Sequence, residues 1–450
     1  VIFSDPWQPS YDYLMVRLPL QQRNQYLNFL QKQSERIYIE DDLAFVEIAR
    51  EKVANLRPAV HGGLVRLAPV SAKLPKTGLK QYDVKSLEVN PLIEEAITKV
   101  DPTAIETSIQ HLQDYGTRDC KTPQAIEAQN WIKEQYEAMG LEVEIMDFPF
   151  FMGEASDNVI AVLPGETHPE EFVVCGGHYD SITYDDEAPG ADDNASGTVG
   201  IMEIAKILKD YHFKKSIVFC AFSGEEYGLY GSEGYASWAD DNNKNILGYF
   251  NMDMVAYRNG TDPINSTMIA PSTAQDLANF YKEVCGIYLP DFQINTGQLS
   301  GGDSDHTSFN NHGFQGIFPF EDIDNYSPYI HTSNDILGTS ANSMEMAGVF
   351  TQATLASVAT MAEIYDPTGL SDNPGQAISL YPNPTTERFF IRGVNPESNI
   401  HYTIRNIAGQ LMDEGMATDG TIQASTLENG LYFVELRYDG YTTVRKILLY

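Results

Sequence analysis

The chain has 450 residues, 42% of them hydrophobic, and sets 29 Lys and Arg against 63 Asp and Glu for a net charge of −34. That length exceeds one ordinary domain and supplies enough apolar side chains for a sizeable core. The charge argues against nucleic acid or an anionic membrane surface as partner, and no apolar run nears the roughly 20 residues that span a bilayer.

The sequence opens at Val1 without Met or a basic-plus-apolar leader, so a signal peptide is expected to have been removed. Residues 1–90 hold strand-like "YLMVRLP" and "LAFVEIA" around an amphipathic "LQQRNQYLNFLQKQ", an α/β appendage whose position suggests a pro-segment. "KLPKTGLKQYDVKS" then reads as a linker, being polar with Pro and Gly.

From 91 to 367 strands alternate with helices. "TPQAIEAQNWIKEQYEAMG" has a Thr-Pro start and a Gly stop, and leads into "LEVEIMDF". "EFVVCGG", helical "SGTVGIMEIAKILKDY", "SIVFCAF", helical "LYGSEGYASWAD" and "NILGYFNMD" follow. The alternation predicts an α/β domain with a largely parallel or mixed sheet flanked by helices, whose ligands gather at the carboxyl ends of strands. "YDPTGLSDNPGQ" is a second linker, and 376–450 carries short alternating runs between Gly, Pro and Asn turns, the pattern of a small β-sandwich.

Four strand-like runs deliver polar residues at or beyond their carboxyl ends. "GGHYDS" gives His178 and Asp180, "GADDNASG" gives Asp192 and Asp193, "FSGEEYG" gives Glu225 and Glu226, and "NMDM" gives Asp253; later "IHTSND" supplies His331. Converged carboxylates repel unless protonated, dispersed or neutralised by cations, and two histidines beside them favour metal. Imidazole with carboxylates suits zinc, and two zinc ions joined by one carboxylate and one water form a hydrolytic arrangement. Each residue alone has a plainer reading: Glu225 and Glu226 as a helix's acidic first turn, Asp192 and Asp193 as a turn before a cap. Four other histidines, His168, His212, His312 and His401, are read as ordinary surface or core residues, and the acidic "YDDEAPGADD" lacks EF-hand spacing for calcium. Cys175 and Cys220 sit in apolar strands as buried hydrophobes, while the pairing of Cys120 with Cys285 is left open.

Over residues 100–365 these blocks, with "SDH" between "NMDM" and "IHTSND", occur in an order that resembles the co-catalytic di-zinc aminopeptidases of peptidase family M28. The resemblance implies a zinc exopeptidase fold and two Zn2+ ions. Asp193 would bridge them, His178 and Asp253 would complete one, and Glu226 and His331 the other. Glu225 would be the general base, Asp180 would orient the His178 imidazole, and Asp192 would help set the backbone presenting Asp193. Peptides with a free amino terminus would be the substrates. Glutaminyl cyclases share "HYDS" and "GEE", but "GADDNASG" and "NMDM" are the peptidase versions; carboxypeptidase or dipeptidase action is the other alternative. Where some members of the family carry a disulfide loop before "SDH", this chain has "SGGDSDH" without cysteine. The tail, through "SLYPNPTT", "ENGLYFVELRYDG" and "VRKILLY", resembles the sorting domain of the type IX secretion pathway, which implies a secreted or cell-surface protein and the secretion machinery as partner.

Overall fold

The structure is a computed structural model and describes residues 8, 10–19, 23–53, 56, 64–67, 87, 89–150, 155–183, 187–299, 303–367, 379–392, 400–417, 420–438 and 441–450. The linker expected at 73–86, most of the second linker, and residues 184–186 and 300–302 of the two quoted loops lie outside the described residues. Two compact units emerge, one of Val1–Leu87 with Ile93–Ile364, the other of Glu88–Leu92 with Tyr365–Tyr450.

The first elements are β1 (Tyr11–Arg17), α1 (Arg23–Gln33), β2 (Arg36–Glu40), β3 (Leu43–Ala49), α2 (Arg50–Val53) and β4 (Leu64–Arg66). The strands form an antiparallel sheet in the order β2-β3-β1-β4. Leu14, Val16, Val46 and Ile48 pack with Leu30 of α1 into its core.

Beyond them run α3 (Pro91–Ile97), α4 (Pro102–Gln113), α5 (Pro123–Ala138), β5 (Glu142–Met146), β6 (Asn158–Leu163) and β7 (His168–His178). Thr122 caps α5, its hydroxyl accepting from the Ala125 N–H at 3.3 Å, and Gly140 at φ +82° ends it in the left-handed region that glycine adopts without penalty. After α6 (Gly197–Leu208) come β8 (His212–Phe213), β9 (Lys215–Phe222), α7 (Tyr230–Asp241), β10 (Asn245–Asn251), β11 (Asn265–Ile269), α8 (Gln275–Tyr288) and β12 (Gln293–Gly297). The unit closes with α9 (His306–Asn311), β13 (Gly316–Phe320), α10 (Met344–Met361) and the start of β14 (Ile364–Tyr365).

The central sheet has eight strands in the order β12-β11-β13-β10-β7-β9-β6-β5. It is mixed: β13, β10, β7 and β9 run parallel, β6 is antiparallel to β9 and to β5, and β11 is antiparallel to β13 but parallel to β12. The central strands are buried on both faces and so read as continuous apolar runs. Their shared carboxyl edge is where the polar residues of "GGHYDS", "FSGEEYG" and "NMDM" emerge.

The second unit contains β15 (Ser379–Tyr381), β16 (Arg388–Arg392), β17 (Ile400–Asn406), β18 (Leu411–Ala417), β19 (Thr421–Gln423), β20 (Gly430–Tyr438) and β21 (Tyr441–Leu449). They form a three-stranded sheet, β15-β16-β19, and a four-stranded sheet, β18-β17-β20-β21. Phe389, Ile404, Val434, Leu436 and Ile447 fill the core between them, as alternating strands with one buried face require.

Candidate metal centre

His178 is the last residue of β7, with Asp180 two residues on; Glu225 and Glu226 follow β9, and Asp253 follows β10. Asp193 sits in the turn that opens α6, and His331 in a loop after β13. The fold brings all seven together, each 4% exposed or less.

Two donor groups result. His178, Asp193 and Asp253 form one, and Asp193, Glu226 and His331 the other, with Asp193 common to both. Asp193 faces each histidine with a different oxygen: Oδ1 lies 3.4 Å from His178 Nε2, and Oδ2 lies 3.2 Å from His331 Nε2. His178 Nε2 is 3.5 Å from Asp253 Oδ1, and His331 Nε2 is 2.9 Å from Glu226 Oε2. Donors bound to zinc at about 2.1 Å in a tetrahedron stand roughly 3.4 Å apart, so this spacing fits an ion in each group. The buried His178 Nε2 and Glu226 Oε1 have no hydrogen-bond partner, a costly state that metal ligation removes.

The electrostatics agree. Burial opposes charge on His178, yet the carboxylates of Glu225 and Asp253, with Asp180 and Asp193, outweigh it and hold the imidazole well above its ordinary pKa. Burial likewise opposes charge on His331, but Glu226 and Asp193 carry its pKa up to about 10. Burial lifts Glu225 well above the usual carboxylate range; His178 pulls it down, while Glu226, Asp305 and Asp253 add to the lift. Buried acids and histidines that distort one another this strongly, in the donor geometry given above, mark a candidate cation site.

Further groups surround these side chains: Asp180 and Asp192, whose positioning roles the family resemblance implied, and Asp335, Ser304 and Arg118, which were not evident from sequence. Asp180 stands by His178, its backbone oxygen 3.1 Å and its Oδ1 3.5 Å from Nδ1. Its carboxylate also accepts the backbone N–H groups of Glu225 at 3.3 Å and Glu226 at 3.4 Å, fixing where both glutamates leave the strand. Asp335, inside the quoted "IHTSND" but assigned no role there, positions the shared donor: its Oδ1 accepts from the Asp192 N–H at 2.9 Å and its Oδ2 from the Asp193 N–H at 3.1 Å. Asp192 Oδ1 accepts from the Ala256 N–H at 3.0 Å, tying the same turn to the segment after Asp253. Ser304 of the "SDH" block donates to Asp253 Oδ2 at 2.7 Å. Fully buried Arg118 donates to the carbonyls of Tyr179, Leu112, Pro189 and Gly190 at 2.6–3.0 Å, joining the loop of His178 to that of Asp193.

Close packing completes the frame. A Cβ on Gly177 would meet the Met252 carbonyl oxygen at 2.2 Å and one on Gly197 would meet it at 2.1 Å, so both positions require glycine. Asn194 Nδ2 donates to that same oxygen at 3.0 Å. His331 itself takes φ +56°, a region costing an ordinary residue about 1 kcal/mol or more, held here by its surroundings. His168, His212, His312 and His401 belong to neither donor group. All four cysteines are free and buried, which answers the open question on Cys120 and Cys285.

The fold and this ring of acids and histidines define a metallopeptidase-like protein of the aminopeptidase fold. Among solved structures the chain is similar to the LapA aminopeptidase of Legionella pneumophila, with TM-score 0.64 and 20% identity over 80% of this chain and 100% of that one. LapB of the same organism gives TM-score 0.62 and 22% identity over 78% and 100%. Leucine aminopeptidase 1 of Metarhizium robertsii is 30% identical over 289 residues, 59% of this chain and 70% of that protein. A probable zinc metalloprotease of Pyrenophora teres f. teres is 31% identical over 210 residues, 40% of this chain, which spans 45% of that relative's length. Residues 158–353 match peptidase family M28, and the chain belongs to that family of zinc metallopeptidases. Residues 379–450 match the secretion system C-terminal sorting domain, which directs the chain to the cell surface or the extracellular space. Among the described residues no helix is long and apolar enough to cross a membrane.

Proposed function

We propose that this chain is a secreted aminopeptidase that holds two zinc ions and removes amino-terminal residues from peptides. The observation carrying this reading is the pair of donor groups that share Asp193. His178 and Asp253 would hold one ion, Glu226 and His331 the other, with Asp193 between them. When bound, the pair of ions supplies Lewis acidity and a water of lowered pKa.

Glu225 stands beside the donor groups and outside both, its Oε2 3.9 Å from His178 Nε2. Its lifted pKa suits it to take a proton and give it back. It accepts a proton from the attacking water as the oxygen–carbon bond forms, and returns it to the amine as the carbon–nitrogen bond breaks. Asp180 keeps Glu225 and Glu226 in place through their backbone N–H groups. Residues 1–90 are proposed as a pro-segment.

The test combines metal quantitation with substrates. Glu225→Gln should retain zinc and lose hydrolysis of leucine anilide by several orders of magnitude; full activity refutes the base. His331→Ala should lower zinc content from two towards one per chain. Ammonia release from amino-terminal glutamine peptides, with leucine anilide untouched, overturns the peptidase reading in favour of a cyclase. Cleavage of amino-blocked substrates overturns the requirement for a free amino terminus.

A further inference from the structure

Apart from the metal centre, the sheet holds a cavity of about 520 Å³, within the range that admits small ligands and peptides. Its floor is the outer face of β6, β9 and β7 through Ile160, Val162, Val218 and Phe172, and Trp238 of α7 borders it. Phe172 precedes His178 by six residues on β7, which puts this end of the floor roughly 20 Å from the donor cluster, while Val218 and Ile160 lie level with Val174 and Gly176 and come nearer to it.

The two ends of the cavity differ in charge. At one end stands Lys244, between α7 and β10, its ammonium 5.4 Å from the Phe172 ring centroid and 5.0 Å from that of Trp238. Among the described residues Lys244 makes no ion pair, in a chain of net charge −34. Glu171, nearby on β7, lies 3.8 Å from Lys215 and accepts from Asn245 at 3.5 Å. At the other end, exposed Glu144 on edge strand β5 and exposed Asp147 just after it line the rim. From β10 to β5 is four strand spacings, about 19 Å.

We propose that this cavity binds an extended apolar peptide of about four or five residues, its carboxylate on Lys244 and its ammonium towards Glu144 and Asp147. An apolar floor between a cationic and an anionic end matches a zwitterion with an apolar middle. The acidic end disfavours a second carboxylate. This site is independent of the proposed hydrolysis, since none of its residues reaches the metal cluster.

The experiment is methyl NMR on the zinc-loaded full chain carrying Glu225→Gln, so that turnover does not consume the probe. The probe is an alanine–valine pentapeptide with free termini. Saturable shifts at the methyls of Ile160, Val162, Val218 and Ile246 are expected, with an affinity distinct from that of any shifts beside the donor groups of the cleft. Amidating the peptide's carboxyl end, or Lys244→Met, should weaken binding about ten-fold or more, as loss of a charge-assisted hydrogen bond requires. The amidated probe needs no variant and keeps the test valid whatever the substitution does to folding. Absence of saturable shifts at these methyls, or equal affinity for the amidated peptide, overturns the proposal. Tighter binding of octanoate than of the peptide also overturns it, in favour of a fatty-acid site.

Discussion

Asp335 gives the sharpest test of how the shared ligand is held. Replacing it by Ala strips the acceptor from two buried backbone N–H groups, those of Asp192 and Asp193. Each orphaned buried donor costs about 1–3 kcal/mol, so the loss is about 2–6 kcal/mol before compensation. The compensation comes from the carboxylate itself: burial and the neighbouring Asp193 push its pKa up to about 7, so its charge is unwelcome near neutral pH. Relief of that charge offsets part of the loss, leaving about 3 kcal/mol for Asp335→Ala. Asp335→Asn keeps one acceptor and removes the charge, and should cost about 1 kcal/mol. Urea unfolding of metal-stripped protein measures these differences, and zinc titration of the refolded variants should show a 10–100-fold weaker affinity for Ala, as for other partners that orient a ligand. An Ala variant with the parent's unfolding midpoint and zinc affinity would refute the reasoning.

Other consequences follow from the same frame. Zinc added to stripped enzyme at pH 7 should release about two protons from His178 and His331, which the surrounding acids keep charged without metal; calorimetry in buffers of different ionisation enthalpy counts them, and no release contradicts the assignment. Arg118→Met removes a donor from four buried carbonyls, of which those of Leu112 and Gly190 keep a backbone N–H partner, and should destabilise by about 3 kcal/mol, with Lys at this position failing to restore the loss because one ammonium does not reproduce the guanidinium's fork. Glu363 tests surface charge: burial opposes its ionisation, but Lys214 and Lys215, at 2.8 and 2.6 Å, pull its pKa from 4.5 down to about 2. Its stabilisation is present above pH 4.5 and lost as pH falls through 2. The side chain is 44% exposed, so Glu363→Gln should cost under about 1 kcal/mol at pH 7 and nothing near pH 2.

What the sequence revealed followed how much signal each element carried locally. β7, β9 and β10 are apolar runs ending in acids or histidine, and each was legible because burial on both faces leaves no polar interruption. β11, "NSTMI", and β12, "QINTG", are polar strands towards one side of the sheet, whose identity rests on pairing with distant partners, and no local pattern announced them. The same division holds in the site. The proposed ligands lie in compact blocks with strong chemistry. The carboxylate of Asp335 and the guanidinium of Arg118 act on backbone groups brought near by the fold, at separations of up to 143 residues, and hydrogen bonds to backbone leave no trace in the partner's side chain. "IHTSND" did place an acid four residues after His331, and that was the signal available for Asp335.

The donors of the cleft are contributed from positions 178 to 331, and Asp193 must meet partners on both sides of it in the chain. No contiguous fragment shorter than this span carries both groups. A chain truncated anywhere within this span therefore lacks at least one donor of the proposed centre, and its two groups can assemble only after the whole span has been made and folded.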